Sequence, residues 1–533
     1  MSAAGNIGVL ICSWAAGTDS RLDLEELRAN ASRLPDVTLA KIVPRMCSED
    51  RREELLGLLK QDKFDRFVVA GCSAKGKEQV YRGICKLAGL HPLCFEVANI
   101  REQCACVHEK GEAQRKAKVL VQMAVEKIRL WSAPPFEDEA PVLAKVAVVG
   151  DGLAAAAVAN EVAAQGVEVD LVMRGSGFEW PSTYLFTSES ARRKADEMLL
   201  SLSNNLKVRL AQKAIVIGLE GSPGQFELTI ADGHGVTSLS CGAIVLAPEP
   251  RSTFSRRGGT MSMEKGSTRP PSERIIILPS GSSSGTGCAC ISPKAIMYAL
   301  EIKEKDPEAE VTLMGREVRA LGGFESRYLE AQKRGVRFMR HDQDPLVTGN
   351  GPFTIQSHDA LVGVLALEAD AVVVESTDFP HSSLLSDIFE IPLDAKGELM
   401  TVDARLNPGE TIHRGVYACH YRQGNMLADD ILLDASTIAS RAVEFVARGS
   451  MEIGGSVAEV KQEKCSACLA CVRICPYSSP IIDSAGKAQI RIDRCQGCGI
   501  CVGLCPSKAI DLYGYSDAQV IAQERTALKG VRH

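Results

Sequence analysis

The chain has 533 residues, of which 45% are hydrophobic and 24% charged, and its formal net charge is −6. This composition is typical of a folded protein of roughly two to four domains, and it excludes a largely disordered chain. The mildly acidic balance, with no basic run, argues against a nucleic-acid-binding protein.

The amino-terminal stretch MSAAGNIGVLICSW lacks the basic region, apolar core and cleavage site of a signal peptide, and predicts a first β-strand instead. No run approaches the roughly 18 consecutive apolar residues that a transmembrane helix needs. We therefore expect a cytoplasmic protein with no direct membrane insertion, in which any membrane association goes through a partner.

An α/β domain is predicted over residues 1–131. IGVLIC and FDRFVVAGCS are typical of buried strands, and LDLEELRANASRL, REELLGLLKQ and GEAQRKAKVLVQMAVEKIR are typical of helices. The proline-rich and acidic segment SAPPFEDEAP then predicts a linker over residues 132–143.

Strand and helix patterns alternate over residues 144–455, beginning with AKVAVVG, VEVDLVM, CGAIVLAP, ERIIILP and AEVTLMG. Such alternation predicts parallel sheets, here in a Rossmann-like domain with two dinucleotide-binding folds. The segment Arg251–Glu273 interrupts the alternation with Arg, Ser, Gly and Pro, and predicts an excursion between subdomains.

Two cysteine runs form an internal repeat in a domain predicted over residues 456–515, which a polar tail follows over residues 516–533. CSACLACVRICP and CQGCGICVGLCP both match C-x2-C-x2-C-x3-C-P, which is typical of a bacterial ferredoxin with two [4Fe–4S] clusters. Three cysteines of each run wrap one cluster and the fourth reaches the other. We expect one cluster on Cys465, Cys468, Cys471 and Cys505, and the other on Cys495, Cys498, Cys501 and Cys475. Zinc knuckles or free thiols are the alternative, but zinc sites usually pair two short spacings.

A dinucleotide-binding turn is predicted at GDGLAA, where Gly150, Gly152 and Ala155 follow the strand KVAVV. The first Gly makes the turn, the second lets a pyrophosphate approach, and Ala155 permits close packing of helix on sheet. Met173 stands where such folds place an acid for the ribose hydroxyl, and Pro248 removes an amide at the end of a later strand. A site that binds a dinucleotide and a scaffold that binds none are the two interpretations of this turn.

A second loop-to-helix transition, Gly281–Leu300, lacks G-x-G-x-x-G, which argues against a nicotinamide cofactor. Cys241 and Cys419 are expected to be structural. Of the 19 cysteines, seven lie in the first 106 residues without tight spacing, and taken alone they are more typical of buried thiols than of ligands.

RMCSED, VVAGCSAKGKE and CKLAGLHPLCFEVANIREQCACVHEKGEAQRKAKVLVQMAV resemble the amino-terminal domain of the heterodisulfide reductase A family. CISPKAIMYALEIKEKDPEAEVTLMGREVRALGGFESRYLEAQKRGVRFMR resembles the flavoprotein domain of the same family, so the resemblance covers most of the chain in order. It implies a third [4Fe–4S] cluster on Cys12, Cys47, Cys72 and Cys104, with Cys85 and Cys106 as competing positions. The chain departs from the family after the first of these, at CSWAAG.

The resemblance also implies FAD. GVYACHYRQGN resembles a flavin-proximal segment and implies cofactor contacts at Gly415, Gln423 and Gly424, while Cys288 and Cys290 fall where the family has a cysteine motif near the flavin. Longer family members insert an extra ferredoxin where this chain has the cysteine-free segment Arg251–Glu273. One of the family's electron pathways is therefore absent, which argues against electron bifurcation.

These observations predict an electron-transfer component of a heterodisulfide-reductase-like complex, which passes electrons between [4Fe–4S] clusters and FAD to B- and C-like or other redox subunits. No local triad suggests hydrolytic chemistry. One alternative is a flavin-free protein for wiring or assembly. Another is an NAD(P)H-dependent reductase similar to the small subunit of glutamate synthase.

Overall fold

The computed structural model describes residues 6–16, 21–61, 64–74, 77–134, 139–177, 189–249, 251–257, 273–279, 291–320, 324–379, 381–395, 397–403, 406–419, 428–453 and 455–531. The predictions for Cys288, Cys290, Gln423 and Gly424 lie outside these residues. The chain divides into two compact units, one of residues 1–140 with 452–533, and the other of residues 141–451.

The amino-terminal part of the first unit is a four-stranded parallel sheet in the order β2-β1-β3-β4. Both central strands are buried at every residue, because helices cover the faces of a parallel sheet. Its elements are β1 (Ile7–Cys12), α1 (Leu24–Ala31), β2 (Val37–Val43), α2 (Arg52–Gln61), β3 (Arg66–Gly71), α3 (Glu78–Ala88), β4 (Phe95–Asn99) and α4 (Lys110–Arg129).

The second unit follows the short strand β5 (Glu139–Pro141) and has two halves. The first half contains β6 (Lys145–Val149), α5 (Leu153–Ala164), β7 (Glu168–Val172), α6 (Glu189–Asn204), β8 (Val208–Ala211), β9 (Ile215–Ser222), β10 (Gln225–Asp232), β11 (Gly235–Cys241) and β12 (Ala243–Leu246).

The second half begins with β13 (Arg251–Arg257), β14 (Arg274–Leu278), α7 (Pro293–Lys305), β15 (Glu310–Gly315), α8 (Glu325–Lys333) and β16 (Arg337–Arg340). It continues with β17 (Gln343–Thr348), β18 (Phe353–Asp359), β19 (Gly363–Ala369), β20 (Ala371–Asp378) and α9 (Ser382–Phe389). The chain then returns to the first half with β21 (Val416–Ala418), α10 (Ala428–Ala447) and β22 (Ser450–Glu452).

Each half is built on a five-stranded sheet, and the predicted fold class is confirmed. The first sheet is parallel in the order β21-β12-β6-β7-β8, and the second runs β13-β20-β14-β15-β16. Only β13, the start of the predicted excursion, is antiparallel to its neighbour in the second sheet. A three-stranded antiparallel sheet is inserted in each half, β9–β11 in one and β17–β19 in the other. Within the described ranges, no helix has the length and apolar character to span a bilayer.

The carboxy-terminal part of the first unit is a small domain with two antiparallel strand pairs. Its strands and short helices are β23 (Ala458–Val460), α11 (Ala470–Ile474), β24 (Pro480–Ile482), β25 (Ala488–Ile490), α12 (Ile500–Leu504) and β26 (Ile510–Leu512). The strands pair as β23 with β26 and β24 with β25. A small core that includes Cys471 and Cys501 lies between them.

The segment predicted to be a polar tail is instead the helix α13 (Asp517–Val531), which packs on α4. The Gln519 amide donates to the carbonyl of Lys127 at 3.5 Å. The Lys127 ammonium in turn lies 3.9 Å from the centre of the Tyr515 ring. A Cβ on Gly530 would lie 2.4 Å from Val119, so the glycine permits the close approach of the two helices. The cysteine-run domain is therefore held against the amino-terminal domain.

Candidate functional site

The two cysteine runs repeat in backbone conformation as well as in sequence. Ala467 and Leu469 of the first run have φ of 56° and 63°, and Gly497 and Gly499 at the same places in the second run have φ of 65° and 74°. The left-handed conformation is strained for residues with a side chain and free for glycine. Both runs therefore wind through the same loop, with the strain confined to the first.

The repeat predicts opposite effects for two matched substitutions. Ala467→Gly should stabilise the domain by up to about 1 kcal/mol, because it relieves a left-handed alanine. Gly497→Ala should destabilise it by more than about 1 kcal/mol, since the left-handed penalty is joined by a clash. The added Cβ would lie 2.1 Å from the carbonyl oxygen of Ser456. The temperature at which cluster absorbance bleaches under anaerobic heating measures both, and equal effects would contradict the expectation.

A pocket in this domain is lined by four cysteines, together with Tyr477, Pro480, Ile490 and Ile500 among other side chains. The cysteines are the set predicted from the spacing for one cluster, namely Cys475, Cys495, Cys498 and Cys501. Burial and, to a smaller extent, the charges of Cys495, Cys475 and Cys498 together raise the pKa of Cys501 to about 11. The fourth cysteine of the first run thus lies with the first three of the second.

The four cysteines that line the pocket fit a [4Fe–4S] cluster, which is held by four cysteine thiolates. Four thiolates also suit a zinc ion, but zinc sites usually combine two short Cys spacings rather than two runs of four cysteines. The residues present therefore fit the cluster predicted from the spacing.

The other predicted ligand set is only partly linked by described contacts. Burial raises the pKa of Cys471, and the charges of Cys468 and Cys465 add to this effect, so these three lie together. The Cys505 sulfur accepts from the amide of Ala509 at 3.2 Å. Although burial opposes them, hydrogen bonds from Ser507 and from backbone amides hold the pKa of Cys505 below its usual value.

Three of the four predicted amino-terminal ligands lie around one tyrosine. Cys12 ends β1, Cys72 follows β3, and Tyr81 on α3 is only 6% exposed. Burial raises the pKa of Tyr81, and the next causes are the charges of Cys47, Cys12 and Cys72. The carboxyl ends of parallel strands meet at one edge of a sheet, which places β1 and β3 to present their cysteines together.

The remaining amino-terminal cysteines separate into two groups. Cys104 lies fully buried in a π-helical turn, Arg101–Ala105, and this burial raises its pKa to about 11. Cys106, which directly follows the turn, is exposed. The Cys85 sulfur lies 3.9 Å from that of Cys94, and both are fully buried. The described contacts of Cys85 are thus with Cys94 rather than with the group around Tyr81.

The predicted glycine turn lies between β6 and α5, and Gly150 is required there by packing. A Cβ on Gly150 would lie 2.3 Å from the carbonyl oxygen of Ala247 and 3.1 Å from the Cβ of Ala155. Gly150 thus lies in the turn, as predicted, and its short distance to Ala155 agrees with the close packing of helix on sheet predicted for Ala155. At Gly152, however, the space that the missing side chain leaves is filled by the carboxylate of Glu249.

The backbone amides that follow β7 donate to another carboxylate, that of Asp151. Met173, where an acid was sought, is fully buried and its amide donates to the carbonyl of Ala211 at 2.8 Å. Asp151, from the glycine turn itself, accepts from the amides of Arg174 at 2.5 Å and of Gly175 at 3.1 Å. The backbone donors beyond β7 are therefore satisfied from within the chain.

Gly415 is not brought to this turn. It precedes β21, whose Val416 pairs with Ile244 near the start of β12, so Gly415 lies at the opposite end of the sheet from Gly150. A Cβ there would lie 3.0 Å from Phe445 and 3.2 Å from Phe226, and its φ of 78° favours glycine. The described geometry explains Gly415 by packing and turn conformation rather than by a cofactor.

Cys241 and Cys419 are buried, and burial raises the pKa of each thiol to about 12. A buried cysteine that takes no part in a ligand cluster acts as a small hydrophobic side chain. This agrees with the structural role expected for both.

Two residues near the glycine turn, Glu249 and Lys294, were not among the site residues predicted from the sequence. Lys294 is 6% exposed, and its ammonium has no hydrogen-bond partner among the described residues. Burial lowers its pKa to about 8 despite the nearby charges of Glu375 and Glu249. The signal for Glu249 was visible in Ala247-Pro248-Glu249, where an acid follows a strand of the dinucleotide fold.

Comparison with known proteins gives a family match and relatives along nearly the whole chain. The family model of the 4Fe-4S binding domain matches residues 488–511. The chain is 27% identical to the first iron-sulfur A-type component of CoB--CoM heterodisulfide reductase from Methanopyrus kandleri, over 90% of this chain and 91% of that protein. It is also 27% identical to the A-type component of H(2):CoB-CoM heterodisulfide,ferredoxin reductase from Methanothermobacter thermautotrophicus, over 98% and 97%. Thioredoxin reductase of Lactococcus lactis aligns with a TM-score of 0.38 and 17% identity, over 57% of this chain and 99% of that one.

Proposed function

We propose that this oxidoreductase, which is similar to heterodisulfide reductase A, carries single electrons between its [4Fe–4S] clusters and partner redox subunits. The observation that carries the proposal is the pocket lined by Cys475, Cys495, Cys498 and Cys501. A [4Fe–4S] cluster bound there supplies one-electron oxidation and reduction. The residues of this chain hold it, bury it partly and direct hydrogen bonds at its sulfur ligands.

The ligand assignments are part of the proposal. Cys495, Cys498, Cys501 and Cys475 hold one carboxy-terminal cluster, and Cys465, Cys468, Cys471 and Cys505 hold the other. A third cluster is held by Cys12, Cys47, Cys72 and Cys104 in the amino-terminal domain. The amide of Ala458, which donates to the Cys495 sulfur at 3.4 Å, and that of Ala509 on Cys505 stabilise negative charge on the sulfurs.

The partners we propose are proteins similar to heterodisulfide reductase B and C, or other redox subunits. Support comes from the names of the relatives, which describe one of several components and therefore a complex of more than one chain. The exposed apolar side chains of Ile474, Ile500 and Leu504, next to the cysteine loops, are compatible with docking of such a partner. In this proposal, the substrate is reduced on the partner rather than on this chain.

Whether FAD takes part distinguishes two versions of this function. The sequence resemblance favours FAD, and this stays a prediction. The described arrangement of the glycine turn does not fit its pyrophosphate, because Glu249 fills the space beside Gly152. This observation favours the version in which clusters alone carry the electrons.

The experiment is an anaerobic reduction of the purified chain, with iron, flavin and zinc measured on the same sample. We expect about 12 iron atoms per chain, from three clusters, and loss of cluster absorbance on reduction by dithionite. The reduced chain should pass electrons to a one-electron acceptor such as methyl viologen, and a Cys498→Ala chain should pass fewer. Zinc in place of iron, or clusters that dithionite does not reduce, would contradict the proposal. Oxidation of NAD(P)H by the chain alone would instead favour the reductase alternative.

A further inference from the structure

Glu249 places a carboxylate at the amino terminus of α5, where a dinucleotide fold binds pyrophosphate. It follows β12 by three residues, and its Oε1 accepts from the amide of Leu153, the first residue of α5, at 2.9 Å. The free amides and the dipole of a helix attract anions to its first turn. Here the anion is part of the chain.

The carboxylate lies in the space that Gly152 leaves open. A Cβ on Gly152 would be 1.1 Å from the Glu249 Oε1 and 1.6 Å from its Cδ. The second glycine of a dinucleotide fingerprint exists so that a pyrophosphate can approach the backbone at this place. A pyrophosphate and the Glu249 carboxylate therefore cannot occupy the turn together.

The buried position of Glu249 makes its ionisation sensitive to pH near neutrality. Burial, with a smaller contribution from the charge of Asp151, outweighs the opposing effects of the Leu153 amide and the Lys294 ammonium and raises the pKa of Glu249 to about 7. Lys294 is buried on α7 and also faces Glu375 on β20, to whose carboxylate the Ser292 hydroxyl donates at 2.9 Å. A buried cation without a hydrogen-bond partner among the described residues thus accompanies the carboxylate.

We propose that Glu249 is an internal anion that closes the α5 turn to dinucleotides, so that FAD binds only in chains whose Glu249 carboxylate has left the turn. The inference concerns the flavoprotein domain predicted within the proposed function, and does not depend on the clusters. It assigns to Glu249 control over a cofactor that the family resemblance implies.

The proposal sets the sign of the pH dependence of FAD affinity. Above its pKa of about 7, the ionised carboxylate is held by the Leu153 amide and repels a pyrophosphate; below it, the neutral group is held more weakly and carries no charge to repel the pyrophosphate. Apparent affinity scales with the competent fraction, so FAD should bind about tenfold more tightly at about pH 6 than at about pH 8. Lys294, whose pKa is lowered to about 8, contributes a second change in the same direction.

The test measures FAD affinity of the full chain by quenching of flavin fluorescence at both pH values. Glu249→Gly should bind FAD at least about tenfold more tightly than the native chain at about pH 8, because no carboxylate competes. Glu249→Gln should bind more tightly than the native chain and keep only the pH dependence that Lys294 contributes. Lys294→Met in the Glu249→Gln background should remove that residual dependence. Glu227→Gln, an exposed glutamate on β10, is the matched control and should behave as the native chain.

Equal affinity of the native chain, Glu249→Gly and Glu249→Gln at both pH values would overturn the inference, as would one tightly bound FAD per native chain at about pH 8. If Glu249→Gly fails to fold, Glu249→Gln decides alone, since it preserves the size of the side chain. Iron content and reduction by dithionite, measured on the same preparations, report separately on the proposed electron transfer. Reducible clusters with unchanged FAD affinity reject only the inference, and absent clusters with the expected FAD shifts reject only the proposed function.

Discussion

A Cys475→Ala and Cys495→Ala double variant should retain one intact carboxy-terminal [4Fe–4S] cluster, whereas a Cys475→Ala and Cys465→Ala variant should retain none. In the proposed arrangement the first pair belongs to one cluster and the second pair to two. A [4Fe–4S] cluster that keeps only three of its four thiolate ligands loses iron or is lost entirely. The number of damaged clusters therefore equals the number of clusters from which a double variant removes a ligand.

The structural reason lies in the short helices that follow the cysteine loops. Cys475 comes directly after α11 and Cys505 directly after α12, so each fourth cysteine leaves its own loop by about one helical turn. Cys475 ends beside Cys495, Cys498 and Cys501 in the same pocket. The crossing of ligands between runs is therefore expected from the backbone as well as from the sequence pattern.

Electron paramagnetic resonance of the dithionite-reduced chains, together with iron per chain, measures the difference. The Cys475 and Cys495 variant should show one more intact cluster than the Cys475 and Cys465 variant, whatever the amino-terminal domain contributes. Cys241→Ala, a buried thiol of the second unit, is the control and should lose no iron. The reverse order of the two double variants would mean that each fourth cysteine stays with its own run.

The parts of this molecule that were predictable from sequence are those set by local spacing. The cysteine runs specify a loop in which each ligand follows the last by two or three residues, and the apolar runs of β1, β6 and β14 specify strands buried on both faces. The glycines at 150 and 152 likewise mark a turn between a strand and a helix. Each of these depends on residues within one supersecondary unit.

What the sequence did not reveal depends on contacts between distant segments. The helix α13 has the polar composition of a tail, and its position is decided by packing on α4, where Gly530 contacts Val119. Glu249 is separated from Leu153 by most of one half of the second unit, and only the parallel pairing of β12 with β6 brings them together. The side chain that decides whether the glycine turn is open thus lies outside the fingerprint that predicts the turn.

Replacing Cys72 by Ala should remove one cluster's worth of iron, about four atoms per chain, while both carboxy-terminal clusters remain. Cys72 belongs to the group around Tyr81, and its sulfur accepts from the Arg101 guanidinium at 3.5 Å. Burial raises the pKa of Cys72, so an unligated thiol there would stay protonated, whereas binding to iron supplies the positive charge that stabilises the thiolate.

Three further variants define the ligand set of this amino-terminal cluster. Cys104→Ala should lose the same iron as Cys72→Ala, and Cys106→Ala should lose none, because Cys104 is buried in its π-helical turn while Cys106 faces solvent. Cys85→Ala should also keep its iron, since the Cys85 sulfur is paired with that of Cys94. Iron loss in Cys106→Ala without loss in Cys104→Ala would move the fourth ligand to Cys106. If Cys72→Ala kept all of its iron, the amino-terminal cluster would be rejected, and the amino-terminal cysteines would be interpreted as buried thiols.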